Sequence, residues 1–354
     1  MDVLKILLII LVCSSCAKLD YIYEQGIGQI SLLSRAKDNK EVIKNVRLQK
    51  DQRQKVAKIE ELKKYFYVYW NKKPSQIYSS TTMLKSKAVT YLVIASPYND
   101  VKADETCFPL MGCFPYLGFF SLDSAKSFAR EKEESNLVTW VRPVYAYSTL
   151  GYFNDTILSS FFHYNDIELT ELIFHELFHT IFFVKNEVEL NENLANYFSV
   201  KMMEDYFQQM GQLENLKIQQ ADEKKEKEIK RKVMQLSNEL KELYKSLIPK
   251  DKKEADVILS EFLDQKFKPE IKEKCNQLGI KIEECFPLQR EWNNARFAAF
   301  LTYENKSEEL SKLQDKKGFK LKELYNYIVN KYEEYDNLSD KPESFSTYLF
   351  KEIY

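Results

Sequence analysis

Apolar side chains recur at helical spacing over residues 19–36 and 50–70. In the second stretch Val56, Ile59, Leu62, Phe66 and Tyr69 fall on one stripe. From 89 to 150 the pattern changes. VTYLVIAS, PYLGFFS and LVTWVRPVYAYS are β-branched or aromatic runs separated by Pro, Gly and Asn, which predicts a small sheet. Helix returns over Ile167–Val184, a run without Gly or Pro that is apolar on most faces and opens on a candidate Asn165–Glu168 capping box. A further helix is expected from Glu192 through about Phe207, burying Leu194, Tyr197, Phe198 and Met202. Residues 212–268 are charged and helical, and Ile229, Val233, Leu236, Leu240 and Leu243 trace a heptad-like seam. That seam serves either a dimerising coiled coil or, the expectation adopted, an antiparallel helical hairpin folded onto its own domain. With only 8 Gly and 9 Pro, helix is favoured over a turn-rich β architecture. The expected fold is α+β, mainly α. Four regions are expected: 1–16, a signal segment; 17–88, helical; 89–207, sheet plus two helices; and 208–354, helical.

Inside the third region the pattern carries chemistry. IFHELFHTIFFVKNEVELNENLANYF (173–198) holds two of the protein's three histidines. His175 and His179 stand four apart, so on a helix they share one face, and Glu176 adjoins the first. Two imidazoles so placed can grip one metal ion while the carboxylate reaches a water bound to it, which is the content of the H-E-x-x-H zinc peptidase motif. Glu192, which follows His179 after twelve intervening residues, is the candidate third ligand. Two His and one Glu leave a fourth position of a zinc ion for water. One zinc per chain is expected. Against this stands the reading of two core histidines bonded to backbone. His163 is read as structural or site-lining.

The N-terminus, MDVLKILLIILVCSSC, has one lysine before an apolar core of Ile6–Val12 and then small residues. That is an export signal, too short to span a bilayer. CSSC resembles the end of a lipobox, with Cys16 as the lipidated residue. Cys13 departs from the pattern, since Leu or Val is usual there, so a plain cleaved signal is the alternative. The expected location is the bacterial cell envelope, with a lipid anchor to a membrane. Four cysteines remain, Cys107, Cys113, Cys275 and Cys285. They permit three connectivities, of which the two local disulfides are expected in an exported chain. With 52 basic and 53 acidic residues, no electrostatic footprint for nucleic acid exists. The sequence leaves the oligomeric state open.

Several blocks together resemble a bacterial family of exported zinc lipoproteins known as putative aminopeptidases. They are GQISLLSR (28–35), CFPLMGCFPYLGFF (107–120), YAYSTLGYFNDTILSS (145–160), and IFHELFH through NENLANYF, with weaker likeness in LYKS (243–246) and WNNARFAAFLTY (292–303). The resemblance implies a gluzincin-like zinc peptidase acting on peptides, whose third ligand is a glutamate on a second helix, here Glu192 in NENLA. Glu176 would be the general base. Asn196 stands where gluzincins often carry a second-shell acid, and Glu171, one turn before His175, is another second-shell candidate. Tyr147 is the expected oxyanion donor, with His163, Tyr303 and Arg296 as alternatives. Glu187 and Glu189 are candidates for holding a substrate amine. The rival functions are a lipid-anchored zinc-binding envelope protein without turnover, or another zinc amide hydrolase.

Overall fold

The computed structural model describes residues 21–108, 112–146, 154–185, 187–301, 307–342 and 344–351. A helix over residues 21–34 (α1) leads into β1 (Lys37–Asp38), α2 (Asn39–Lys44) and α3 (Lys50–Tyr69). Five strands follow: β2 (Ser80–Thr82), β3 (Thr90–Pro97), β4 (Thr106–Phe108), β5 (Gly112–Phe114) and β6 (Leu117–Phe119). Next come α4 (Leu122–Glu134), β7 (Leu137–Val144), β8 (Ile157–Leu158), α5 (Asp166–Phe178) and α6 (Val188–Gln209). The long α7 (Leu213–Leu247) precedes α8 (Lys252–Phe262), α9 (Lys268–Gln277) and α10 (Asn294–Leu301). The last helices are α11 (Ser307–Lys317), α12 (Leu321–Asp336) and α13 (Phe345–Phe350). Helix accounts for 64% and the sheets are small, in agreement with a mainly-α α+β fold.

The chain forms two compact units, each assembled from three separate stretches. The first takes Met1–Ser34, Ala88–Tyr145 and Ala221–Tyr303. Its antiparallel sheet has the order β6-β3-β7, with Val93 paired to Leu117 on one side and Val141 on the other. Ala125 and Ala129 are the buried residues of α4, and their small side chains let the helix lie close on that sheet. The β4–β5 hairpin is closed by the Cys107–Cys113 disulfide. A second core joins Ile229, Val233, Leu236 and Leu240 of α7 to Phe262, Phe267, Ile271 and Phe297. The heptad-like seam is therefore buried inside its own unit. The Cys275–Cys285 disulfide lies in this core with both residues buried.

The second unit takes Arg35–Lys87, Ala146–Gln220 and Glu304–Tyr354. β2 runs antiparallel to β1 and parallel to β8, with Thr81 opposite Ile157. On α3 the stripe Val56, Ile59, Leu62 and Phe66 is buried, and α5 packs against both α3 and α6. Phe178 of α5 and Phe198 of α6 stack at 4.8 Å between centroids. Aromatic packing of this kind adds to area burial and fixes the spacing of the two helices.

Candidate metal centre

The helix that carries the histidines starts where the sequence places it. Asn165 Oδ1 accepts from the Ile167 and Glu168 amides at 2.9 Å each, and Glu168 Oε2 accepts from the Asn165 amide at 2.9 Å. This capping box satisfies three amides that the helix leaves without partners. The helix ends earlier than expected. Phe178 is its last residue and His179 its C-cap, because Thr180 Oγ1 donates to the Leu177 carbonyl at 2.6 Å and the chain turns away. The connection to α6 is held by Asn191. Its side chain donates to the Val184 carbonyl and accepts from the Val184 amide, both at 2.7 Å. A buried amide that satisfies both polar groups of one residue pins the loop directly before Glu192.

α6 begins at Val188, four residues before Glu192, so the carboxylate projects from an already formed turn. Glu192 Oε2 lies 3.3 Å from His175 Nε2, and Oε1 lies 3.5 Å from His179 Nε2. The two Nε2 atoms are 3.3 Å apart. All three ligand atoms fall within 4.8 Å of one another and could hold a metal ion. Glu176 is buried beside them.

Burial disfavours a charged His175. The hydrogen bond to Glu192, the charges of Glu176 and Glu192 and a hydrogen bond with Asn196 outweigh it and raise the pKa. His179 moves the other way, down to about 4, through burial and the neighbouring His175, against the opposing pull of Glu192. Burial pushes Glu192 up, but its hydrogen bond and charge interaction with His175 prevail and hold it low. At neutral pH His179 is thus a neutral imidazole with a free lone pair, as ligation requires. His179 Nδ1 is buried with no hydrogen-bond partner among the described residues.

Of the other expected residues, Asn196 reaches His175, although its residue is largely exposed. Glu171 is half-buried one turn before His175. Tyr147, Tyr303 and Cys16 lie outside the described residues. His163 is exposed at the end of a short 3-10 turn, and it is not one of the three residues grouped around the metal position. Arg296 belongs to the first unit, where its guanidinium covers the Trp140 ring at 4.4 Å. Glu187 serves the fold, accepting from the Phe345 and Ser346 amides at the start of α13. Glu189 is exposed in the first turn of α6.

Sequence reasoning missed Tyr78. It is fully buried in the left-handed region at φ 56°, a conformation costly for a bulky residue. Its backbone is held there by donation to the Asp155 carbonyl at 2.6 Å and by Asn39 Nδ2 donating to its own carbonyl at 2.8 Å. Its hydroxyl has no hydrogen-bond partner among the described residues. Burial raises the phenol pKa strongly, and the charges of Glu176 and Asp155 add to this. One tyrosine among 23 carries no sequence signal of its own.

A family model described as "Putative aminopeptidase" matches residues 20–343. No curated protein and no solved structure matches the chain.

Proposed function

The chain belongs to the putative aminopeptidase family, and from that membership and the three-ligand site we propose that it is a zinc-dependent peptidase of the cell envelope. One observation carries the metal assignment. A tetrahedral zinc with ligands at ~2.0–2.1 Å has ligand–ligand edges of about 3.3–3.4 Å. The three distances between His175, His179 and Glu192 are 3.3, 3.3 and 3.5 Å. The three residues form a triangle in which the two Nε2 atoms span one such edge, while the carboxylate meets them through different oxygens, Oε2 toward His175 and Oε1 toward His179, and one ligand atom from each residue falls within 4.8 Å of the others. Two imidazoles and a carboxylate are the donor set of a gluzincin-like catalytic site. When bound, zinc would lower the pKa of its water toward ~7 and polarise the scissile carbonyl. His175 and His179 present Nε2 to the metal position, and Glu192 closes the triangle. Glu176, adjacent to a ligand yet outside the triangle, takes the proton of the attacking water and returns it to the leaving amine. Asn196 orients His175. Tyr147 is assigned to the oxyanion.

Envelope location rests on the N-terminal signal and on Cys16 as the lipidated residue. The two disulfides agree with an oxidising compartment. The substrate is a peptide, and the aminopeptidase assignment follows the family.

The test is cleavage of a diverse peptide mixture by zinc-loaded protein, read by mass spectrometry, beside the Glu176→Gln variant. Gln is nearly isosteric and 176 is not a ligand, so zinc content and melting temperature should hold while turnover drops about 10²–10⁴-fold. Near-parental hydrolysis by the variant would refute the base assignment. Zinc binding with no cleavage by the parent would favour the envelope zinc protein without turnover.

A further inference from the structure

α1 has two unlike faces. One is packed within the first unit. Tyr21 stacks on Phe108 at 5.4 Å and meets Phe119 edge-on at 5.2 Å. Gln25 Nε2 donates to the Gly118 carbonyl at 2.9 Å, and Gln29 and Leu32 are buried. Gly28 lies so close to the Phe120 ring that a Cβ would meet it at 2.2 Å. The opposite face is apolar and open to solvent: Ile22, Tyr23, Ile27 and Ile30 are 45, 71, 49 and 65% exposed. The remaining exposed positions of the helix are Gly26, Ser31 and Ser34, so this face bears no charged side chain in a chain that is 30% charged. Large isoleucines on an uncharged face are not what a solvated helix surface uses.

We infer that this face of α1 lies on the lipid bilayer, as a second attachment beside the lipid at Cys16, an inference that rests on the lipidation reading. Position argues for lipid. Cys16 precedes the first α1 residue, Tyr21, by five residues, a tether of at most roughly 17 Å. A lipid there would hold the face against the surface at high effective concentration. Chemistry agrees: isoleucines suit the acyl boundary, and Tyr23 suits the interfacial zone that tyrosine favours. Attachment would be peripheral, since no helix among the described residues is long and apolar enough to cross a membrane. A second copy is a poorer fit, because stable interfaces take roughly 20–30 residues a side and this face offers four large ones.

The chain without its signal segment and its lipidated Cys16, residues 17–354, should co-sediment with phosphatidylethanolamine–phosphatidylglycerol vesicles. Ile27→Lys with Ile30→Lys should lower its partitioning at least about ten-fold, with an unchanged melting temperature because both side chains are exposed. Protein left in the supernatant at millimolar lipid would overturn the inference, as would equal binding by the double variant. A lipid-free dimer that the double variant abolishes would overturn it in favour of a second copy. Intact mass of the native N-terminus reports on Cys16 separately, so failure of the anchor and failure of the face are distinguishable.

Discussion

At the scale of single residues, the three grouped side chains share a proton that a metal ion would have to displace. His175 keeps its proton to a higher pH than an ordinary imidazole because Glu192 shares it, whereas His179 is already neutral above about 4. A metal ion must displace the His175 proton. The sign follows: apparent affinity rises about ten-fold per pH unit below the raised His175 pKa and levels off above it, with no step from His179 over that range. Competition titrations from pH 5.5 to 8 check this, and a flat profile would remove the shared-proton account. Tyr78 yields the second prediction at this scale. A buried hydroxyl without a partner costs roughly 1–3 kcal/mol, so Tyr78→Phe should raise the melting temperature. The hydroxyl makes no hydrogen bond to Glu176, so the same variant should leave turnover, KM and metal content near parental. A variant no more stable than the parent would remove this account of the buried hydroxyl. Position along the chain could not single it out, because its place is set by the backbone turn that Asn39 and Asp155 hold.

At the scale of elements, the two ligand-bearing helices differ in how they are held, and that difference can be measured. The cap of α5 is local: Asn165→Ala should cost about 0.5–2 kcal/mol through lost amide bonds and leave metal affinity near parental, since the histidines sit at the far end. Asn191→Ala removes two buried bonds to Val184 and frees the segment that delivers Glu192. It should cost more, with roughly 1–3 kcal/mol for each orphaned group, and should weaken metal binding as well. Melting curves with and without metal separate the two. An Asn165→Ala variant that loses metal as readily as Asn191→Ala would contradict the local role of the cap. The α5 cap and the i, i+4 histidines were legible because each depends on residues close in sequence. The end of α5 at Phe178 was not, since nothing in the apolar run IELTELIFHELFHTIFFV (167–184) marks where Thr180 turns the chain. β1, β2 and β8 were missed because strands of two or three residues have no period to read. α4 buries only Ala125 and Ala129, too thin a stripe to stand out among its charges.

At the scale of the whole molecule, the stabilising devices are divided between the units. Both disulfides lie in the first unit, and the three side chains that could hold a metal ion lie in the second. A linear reading of the chain does not reveal this, because each unit gathers three stretches and only the tertiary contacts between them define it. The division has a measurable consequence. Closing loops with separations of 6 and 10 residues restricts the unfolded chain by about 2–3 kcal/mol per bridge on the chain-entropy account. A metal bound to the folded state stabilises by mass action, about 2.7 kcal/mol at a hundred times its Kd. Each effect should act where its group sits. In hydrogen exchange read by mass spectrometry, chelation should raise exchange first in α5, α6 and the Val184 segment. Reduction should raise it first in the β4–β5 hairpin, α9 and α10. Within the first unit the order is also set: Cys107 and Cys113 are exposed, whereas Cys275 and Cys285 are buried in the core. Mild reductant should therefore open the Cys107–Cys113 bridge while the other persists until the α7–α10 core loosens, as stepwise thiol labelling would record. Simultaneous reduction of both bridges in the native protein, or chelation that loosens the first unit as early as the second, would break this assignment of stability to sites.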